Sequence, residues 1–307
     1  MRGQRAEVRI PSRGEQLAAY LYLPVPVGES IPCVVMAHGF SATRDDGLPA
    51  YAEAFCDAGF AVILFDYRHF GASTGQPRQL LDIGCQQDDY RAVVDWARHA
   101  DGIDPDRIVL WGSSFSGGHV LAVAATDPRI AAVISQAPFT DSLPAIRQIP
   151  FGNLVRATSA ALRDGVGALL GRAPILIPAV GECGTFAVMT TPDADSGFQD
   201  LIGRESLWRN EIAARLVLTL PFYRPVRFAA RLHMPVLFCV CDDDVITPPS
   251  STIKAARAAP RGRLRRYHYG HFDIYRDPAV KADQIEFLNG VLGEPNRLPP
   301  NVTPRPN

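Results

Sequence analysis

The sequence predicts an α/β protein whose sheet is mainly parallel and has helices on both faces. Two observations carry this prediction. Short apolar runs typical of buried strands, such as PCVVM and AVILF, alternate with stretches of helical character. The alternation stops for about 90 residues and then resumes near the end of the chain. Strands that alternate with helices form βαβ units, which set parallel strands side by side.

The first half of the chain supplies most of the predicted sheet. Its predicted strands are residues 6–10, 16–23, 32–36, 61–65, 107–111 and 130–135. A turn at residues 12–14 joins the first two strands. Predicted helices occupy residues 46–58, 88–99 and 117–125, and Gly59 is the stop signal of the first one.

The regular pattern is interrupted at residues 139–232, where no clean strand is predicted. Pro and Gly punctuate this segment, and its helical stretches are 157–170 and 209–220. A structureless loop of that length is improbable inside a compact domain, so the segment is expected to be an inserted helical subdomain.

The alternation then continues with strands at 236–240 and 264–268 and helices at 250–259 and 278–292. The α/β core is therefore expected to comprise residues 1–138 and 233–292. Residues 293–307 are rich in Pro and Asn and are expected to lie outside the core as a loose tail.

Composition narrows the classes of partner and cofactor. The 31 Lys and Arg residues nearly cancel the 32 Asp and Glu residues, and the net charge is −1. Such a chain has no global basic field, so neither nucleic acid nor an anionic membrane is expected as a partner. Six scattered cysteines do not form a disulfide scaffold, and the His and Cys spacings fit no zinc site. We expect no metal.

The start of the chain, MRGQRAEVRI, lacks the apolar stretch of a signal peptide. No window reaches the ~18 uninterrupted apolar residues of a membrane-spanning helix. The sequence therefore predicts a cytoplasmic protein.

The sharpest motif is GSSFSGG at residues 112–118, between a predicted strand and a predicted helix. A nucleophile elbow requires this context, because a serine on a tight strand-to-helix turn projects its hydroxyl at the edge of the sheet. Ser114 is the candidate, with small neighbours at Gly112 and Ser116. Glycine is usual at the second position, so Ser116 is a mild departure. Ser113 is weaker because Trp111 lies two residues before it. The alternative is that Ser114 merely caps the helix.

With three further segments, the chain resembles the α/β-hydrolase superfamily over nearly its whole length. HGF at 38–40 follows the third strand, where that family has an oxyanion-hole loop, and DYRHFGAS at 66–73 is similar to its D-x-R-x-x-G-x-S loop. An acid and a histidine follow the serine in the family's order. The closest resemblance is to capped serine esterases and peptidase-like hydrolases. It implies an α/β-hydrolase sheet with residues 139–232 as a helical lid.

A serine hydroxyl needs a histidine to accept its proton and a carboxylate to orient that histidine. Of seven histidines, His271 follows the last predicted strand in the segment YGHFD, which resembles the family's base loop. His268 lies on the strand itself, where it is expected to be packed or solvated.

The acid candidates follow the strand at 236–240 in a run of three aspartates. Asp244 is preferred because DVITP resembles the family's D-x-[IV]-x-P loop. Asp242 is the second choice, and Asp141 is a rival because some family members take their acid after the sixth strand. A solvated acidic turn is the other interpretation of the run.

The resemblance also implies an oxyanion hole made of the backbone N–H groups of Phe115 and Phe40. Asp66 and Arg68 are expected to tie a loop near the site rather than to bind substrate. The apolar content of the insertion favours an acyl or alkyl substrate.

Together these features predict a serine hydrolase that cleaves small carboxylic esters through an acyl-enzyme, with no metal or organic cofactor. Cleavage of an amide, thioester, lactone or C–C bond, and acyl transfer, remain alternatives on the same triad, as does a non-catalytic ligand-binding relative. A homo-oligomer is left open.

Overall fold

The computed structural model describes residues 3–25, 30–147 and 149–293. Its strands, in chain order, are β1 (Gln4–Ser12), β2 (Glu15–Leu23), β3 (Ile31–Ala37), β4 (Ala61–Phe65), β5 (Ile103–Ser113), β6 (Ala132–Gln136), β7 (Leu176–Ile177), β8 (Ile212–Ala213), β9 (Val236–Cys241) and β10 (Gly262–Tyr267). Its α-helices are α1 (Pro49–Asp57), α2 (Ile83–His99), α3 (Phe115–Ala124), α4 (Ser142–Ile146), α5 (Phe151–Leu169), α6 (Ala194–Gln199), α7 (Leu216–Thr219), α8 (Pro249–Ala258) and α9 (Pro278–Leu292).

The main sheet has eight strands in the order β1-β2-β4-β3-β5-β6-β9-β10. The β1–β2 and β2–β4 pairs are antiparallel, and every other pair in this sheet is parallel. The predicted mainly parallel α/β sheet is therefore confirmed. Its parallel strands bring the loops that follow β3, β5, β9 and β10 to one edge, where ligands of open α/β sheets bind.

Helices cover both faces of this sheet because successive strand residues point to opposite sides. In β3, Val35 packs into one apolar cluster with α2, α3 and α8. Its neighbour Val34 packs into a second cluster with α1 and α9. The central strands are buried on both faces, which explains why they are almost continuously apolar in the sequence.

Two of the helix starts that differ from the prediction are explained by aspartate side chains. Helix α1 begins at Pro49 rather than at residue 46, since Asp46 accepts hydrogen bonds from Thr43 and holds a turn instead. Proline is favoured at the first helical position, where it has no N–H to lose. Helix α2 begins at Ile83, five residues earlier than predicted, because Asp82 caps it by accepting from the Cys85 N–H at 2.8 Å.

The segment 139–232 differs more from its prediction. A small antiparallel sheet of β7 and β8 lies where no clean strand was expected, and only Leu216–Thr219 of the helix predicted at 209–220 is α-helical, as α7. Tertiary contact explains the change, because the Ala213 N–H donates to the Gln79 carbonyl at 2.9 Å, far away along the chain. Residues 157–169 of the helix predicted at 157–170 lie in α5, which begins six residues earlier, at Phe151.

The domain boundaries and the lid role of this segment stay predictions. Of the predicted tail at 293–307, all but Gly293 lies outside the described residues. Among the helices of the described ranges, none is long and apolar enough to cross a membrane.

Candidate active site

Ser114 lies at the tight turn between β5 and α3. Its backbone has φ 57° and ψ −120°, a conformation that costs energy for a residue with a side chain and that clusters at functional sites. Although Ser114 occupies the N-cap position of α3, its side chain makes no capping hydrogen bond. Its Oγ lies instead 3.0 Å from the His271 Nε2 atom. The geometry therefore disfavours a mere helix cap.

The backbone around the elbow leaves no room for larger residues. A Cβ atom on Gly112 would lie only 2.4 Å from the Ser116 carbonyl oxygen. Ser116, which replaces the more usual glycine, is buried, and its hydroxyl lies 3.0 Å from the Tyr67 hydroxyl and 2.7 Å from that of Tyr90. The serine is thus accommodated in a hydrogen-bonded cluster beneath the turn.

His271 and Asp244 complete a buried chain of hydrogen bonds with Ser114. The His271 Nδ1 atom lies 2.7 Å from the Asp244 Oδ2 atom. The turn after β9 aims the carboxylate, since Asp244 Oδ1 accepts from the N–H groups of Ile246 and Thr247 at 2.8 and 2.7 Å. The Thr247 hydroxyl also lies 2.7 Å from Oδ2. Sequence reasoning missed this contribution of Thr247, although an aspartate that bonds the backbone two residues further on is a common turn former.

The rival acid Asp141 is engaged elsewhere. It caps α4 by accepting from the Leu143 N–H, and both of its oxygens bind the Arg224 guanidinium, at 2.9 and 2.8 Å. Burial acts to raise the pKa of Asp141, but the hydrogen bonds from Arg224 and Leu143 outweigh it and hold that pKa below its usual value.

Asp242 and His268 also lie apart from the serine. Asp242 pairs with Arg266 at 2.8 Å, and the side chain of His268 is largely exposed beside it. Of the candidate acids and bases that the sequence offers, the structure brings together only Asp244 and His271 with Ser114.

The loop after β3 abuts Ser114. A Cβ atom on Gly39 would lie 3.1 Å from the Ser114 Cβ atom, so the backbone of this loop reaches that serine. The next N–H along the loop belongs to Phe40, and the first N–H of α3 belongs to Phe115. Within the part of the chain that the structure describes, neither N–H donates to a protein acceptor. Both groups are therefore available to a substrate oxygen.

His38 supports this loop from below. Its ring is fully buried, and its Nδ1 atom lies 3.0 Å from the Gly39 carbonyl oxygen. Burial lowers the pKa of His38 to about 4, so the ring is neutral near pH 7. The ring packs edge-to-face on Tyr67, so His38 has a structural role beneath the loop.

Asp66 and Arg68 hold loops together, as the sequence predicts. Asp66 accepts from the N–H groups of Arg44 and Ala72 at 2.7 and 2.9 Å, and burial raises its pKa to about 6. The Arg68 Nε donates to Asp89 at 2.8 Å in a buried pair. Neither residue lines the cavity at Ser114.

A small cavity of about 30 Å³ opens beside Ser114 and His271. Its apolar lining comes from three regions of the chain and comprises Phe40, Ala42, Leu48, Met189, Phe198, Leu201 and Phe272. Asp46 and Tyr275 add ionisable groups to its wall. Sequence reasoning missed Asp46, whose Oδ1 atom accepts from the Gly203 N–H at 3.3 Å and so ties the 139–232 segment to the core.

A second contact of the 139–232 segment reaches the start of α3, next to Ser114. The buried hydroxyl of Tyr223 lies 3.2 Å from the Phe115 carbonyl oxygen and 2.8 Å from the His119 Nδ1 atom. The 139–232 segment is thus docked on the helix that begins at the elbow. Among the described residues, no cluster of three or more His, Cys, Asp or Glu side chains could hold a metal ion.

The sheet order, the elbow and the buried Ser–His–Asp chain define a class, and comparison with known proteins agrees. The chain belongs to the α/β-hydrolase superfamily. The sequence model of a protein family, X-Pro dipeptidyl-peptidase (S15 family), matches residues 13–155.

Among curated relatives, the quorum-quenching protein AidA of Acinetobacter baumannii (strain MDR-ZJ06) is 44% identical over 289 residues, which cover 93% of this chain and 95% of AidA. The polyketide transferase ATR5 of Stachybotrys chlorohalonatus (strain IBT 40285) is 35% identical over 289 residues, which cover 92% of this chain and 89% of ATR5. The crystal structure of the alpha/beta hydrolase GrgF from Penicillium sp. sh18 superposes with a TM-score of 0.79 at 24% identity, and the match covers 94% of this chain and 99% of GrgF. That structural likeness supports the fold alone.

Proposed function

We propose that this protein is a serine hydrolase that cleaves carboxylic esters through an acyl-enzyme. The observation that carries the proposal is the buried chain from Ser114 Oγ to His271 Nε2 at 3.0 Å and from His271 Nδ1 to Asp244 Oδ2 at 2.7 Å. In this arrangement the imidazole can accept the serine proton while the carboxylate stabilises the cation that forms.

The reaction runs in two halves. Ser114 Oγ attacks the ester carbonyl carbon as its proton passes to His271 Nε2, and a tetrahedral oxyanion forms. The N–H groups of Phe40 and Phe115 bind that oxyanion, a contribution of about 3 kcal/mol per donor in comparable enzymes. His271 then protonates the leaving alcohol, and the acyl group stays on Ser114. Water, deprotonated by His271, attacks the acyl-enzyme and releases the acid and the free serine.

The substrate side of the proposal rests on the cavity and on the relatives. Six of the seven apolar lining residues have side chains larger than alanine, so the cavity is small and its wall is mostly apolar. Such a cavity suits a short apolar acyl group better than a charged one. The A. baumannii relative carries the name quorum-quenching protein, so a signalling molecule is one candidate source of the scissile bond. Lactones, as cyclic esters, belong among the substrates to test.

A substrate panel tests this function. Esters of graded acyl length are compared with a matched thioester, amide and lactone, and Ser114→Ala serves as the control for background hydrolysis. We expect esters to be turned over with acids as products, and the variant to lose the activity while keeping its circular dichroism spectrum. Turnover of the amide or the thioester alone would overturn the ester assignment. Equal turnover by Ser114→Ala would overturn the triad.

Acyl transfer to an acceptor other than water is the second candidate. Ser114 and His271 are 8% and 3% exposed, so bulk water has little access to an acyl-enzyme. The relative from S. chlorohalonatus is named a polyketide transferase, which agrees with such a reaction. Adding a primary alcohol as acceptor separates the two: formation of a new ester at the expense of the acid favours transfer, and unchanged acid formation favours hydrolysis.

Other expectations from the sequence stay predictions. They are C–C bond cleavage, a non-catalytic binding role, the absence of nucleic-acid and membrane partners, and the cytoplasmic location.

A further inference from the structure

The longest helix of the 139–232 segment carries apolar residues on the side that faces solvent. On α5 and at its C-cap, six large side chains are each more than half exposed: Phe151, Val155, Leu162, Val166, Leu169 and Leu170. The inward face of the same helix is also apolar, with Ala161 fully buried. A helix that is apolar on both sides normally has a partner on both.

The exposed residues form one continuous face. At 100° per residue, Phe151, Val155, Leu162, Val166 and Leu169 fall within a quarter-turn, and the stripe is about 27 Å long. Soluble monomers rarely expose a contiguous apolar surface of this kind, and larger patches mark interaction sites. We call these five residues the outer stripe.

A groove adjoins the C-terminal half of the outer stripe. It has a volume of about 540 Å³, and its lining includes Leu162, Val166 and Ile175, with Arg163 and Arg172 at its edges. The N-terminal half of the stripe instead ends in the protruding ring of Phe151, which is 80% exposed. The face therefore has a ridge at one end and a groove at the other.

We infer that this face joins two copies of the chain as a dimer, with the α5 helices antiparallel. A two-fold interface requires that if one residue contacts a second, the second contacts the first in return. The register that sets Phe151 opposite Val166 also sets Val155 opposite Leu162. It brings the small, exposed Ser159 to the crossing point, where the two backbones come closest.

A second copy fits the face better than a lipid surface does. A membrane has no ridge to fill a concave groove, whereas the Phe151 ring of one copy meets the groove of the other. The exposed face is a strip about 27 Å long and one helix, about 10 Å, wide, so it is smaller than the ~800 Å² that each partner buries in a standard interface. We therefore expect a reversible dimer rather than a permanent one.

The arginines beside the outer stripe affect the stability of this dimer. Between residues 151 and 173 the only carboxylate is Asp164, which is buried and paired with Arg215 at 2.8 Å. Arg156 and Arg163 both lie on the same side of the outer stripe. In the antiparallel register, Arg156 of one copy runs beside Arg163 of the other, which weakens the dimer slightly.

Sedimentation velocity of the full chain over a range of concentrations tests the inference. We expect a monomer–dimer equilibrium in the wild type and at least a tenfold weaker dimer in Leu162→Glu. Leu207→Glu is the matched control, because Leu207 is 57% exposed on another segment, and its dimer should be as tight as that of the wild type. Hydrolysis of a soluble ester by each variant confirms that it is folded.

Charge reversal sharpens the test. In Arg163→Glu the like-charge pair becomes an attractive one, so the dimer should tighten by a few-fold; an anionic membrane or an acidic partner would instead be bound more weakly. A wild type that stays monomeric at every concentration would overturn the inference, as would a Leu162→Glu dimer of unchanged affinity. A monomeric wild type that co-sediments with phosphatidylglycerol vesicles would identify a lipid surface as the occupant instead. Weakening by Arg163→Glu would overturn the antiparallel register.

Discussion

The edge of the main sheet and the 139–232 segment obey different constraints. At the edge, a Cβ atom on Gly112 would lie 2.4 Å from a backbone oxygen, whereas a Cβ atom on Gly152 in α5 would meet nothing within 4 Å. The side chains of Ser114, His271 and Asp244 at the edge are buried and hydrogen-bonded to one another, while α5 exposes six large apolar side chains. The edge is thus held by local backbone geometry, and the segment is held by a few distant anchors and leaves one face uncovered.

The largest effect should come from the acid of the triad. In Asp244→Asn an amide replaces the carboxylate that orients His271, so we expect kcat for ester hydrolysis to fall by about 10⁴. Asp141→Asn removes half of an ion pair with Arg224 on the other region, and kcat should stay within a few-fold of the wild type. Steady-state kinetics at neutral pH measures both. The opposite ranking would give Asp141 the role of the acid.

The next largest effect should be the difference in stability between alanine substitutions at Gly112 in the elbow and at Gly152 in α5. Gly112→Ala forces backbone atoms apart at the elbow, and we expect it to lower the free energy of unfolding by about 3 kcal/mol. Gly152→Ala adds a methyl group in open space on a helix and should raise that free energy by about 0.5–1 kcal/mol. Urea unfolding followed by circular dichroism measures both. Equal effects at the two positions would mean that the elbow is not the tighter region.

Protonation couples the two regions through His119, whose ring binds Tyr223 of the 139–232 segment. Burial, with a smaller contribution from His38, lowers the pKa of His119 to about 3 from an ordinary 6.5. Between pH 6.5 and about 3, His119 is therefore protonated in the unfolded chain but not in the folded chain. The free energy of unfolding falls as the pH falls through this range. The loss amounts to about 1.4 kcal/mol per pH unit for one such group.

His38 adds a loss of the same sign between pH 6.5 and about 4. Asp66 opposes both, because its raised pKa makes the folded chain bind the extra proton between pH 3.8 and about 6. In His119→Gln we expect the dependence of the unfolding free energy on pH between 6 and 4 to become less steep by about one proton, as measured by urea unfolding at several pH values. An unchanged slope would show that His119 takes up its proton in the folded state.

The same contrast explains what the sequence could predict. The GSSFSGG motif is recognisable because its strand, turn and helix are neighbours in the chain, and Gly112 is required by contacts only four residues away. The order of Ser114, Asp244 and His271 is predicted through resemblance to a family, and Asp244 is preferred to Asp242 because the DVITP segment resembles that family's acid loop. Thr247 was overlooked, although it lies within the same turn.

The features that the sequence did not predict depend on contacts between residues far apart in the chain. The strand β8 forms where the Ala213 N–H donates to the Gln79 carbonyl. The hydrophobic pattern of residues 209–220 gives no sign of this distant partner. Likewise, Tyr223 and Asp46 gain their roles only when the segment docks on the core. The apolar pattern of α5 predicted a helix correctly, but a pattern with apolar residues all round does not indicate which side faces solvent.

Active-site labelling tests the central claim most directly. The wild-type protein is incubated with a fluorophosphonate, digested and mapped by mass spectrometry. We predict a single adduct on Ser114 that is lost in His271→Ala, because the serine reacts only when the imidazole takes its proton. An adduct on Ser113 or another serine, or full ester turnover by a protein that never labels, would contradict the assignment of Ser114 as the nucleophile.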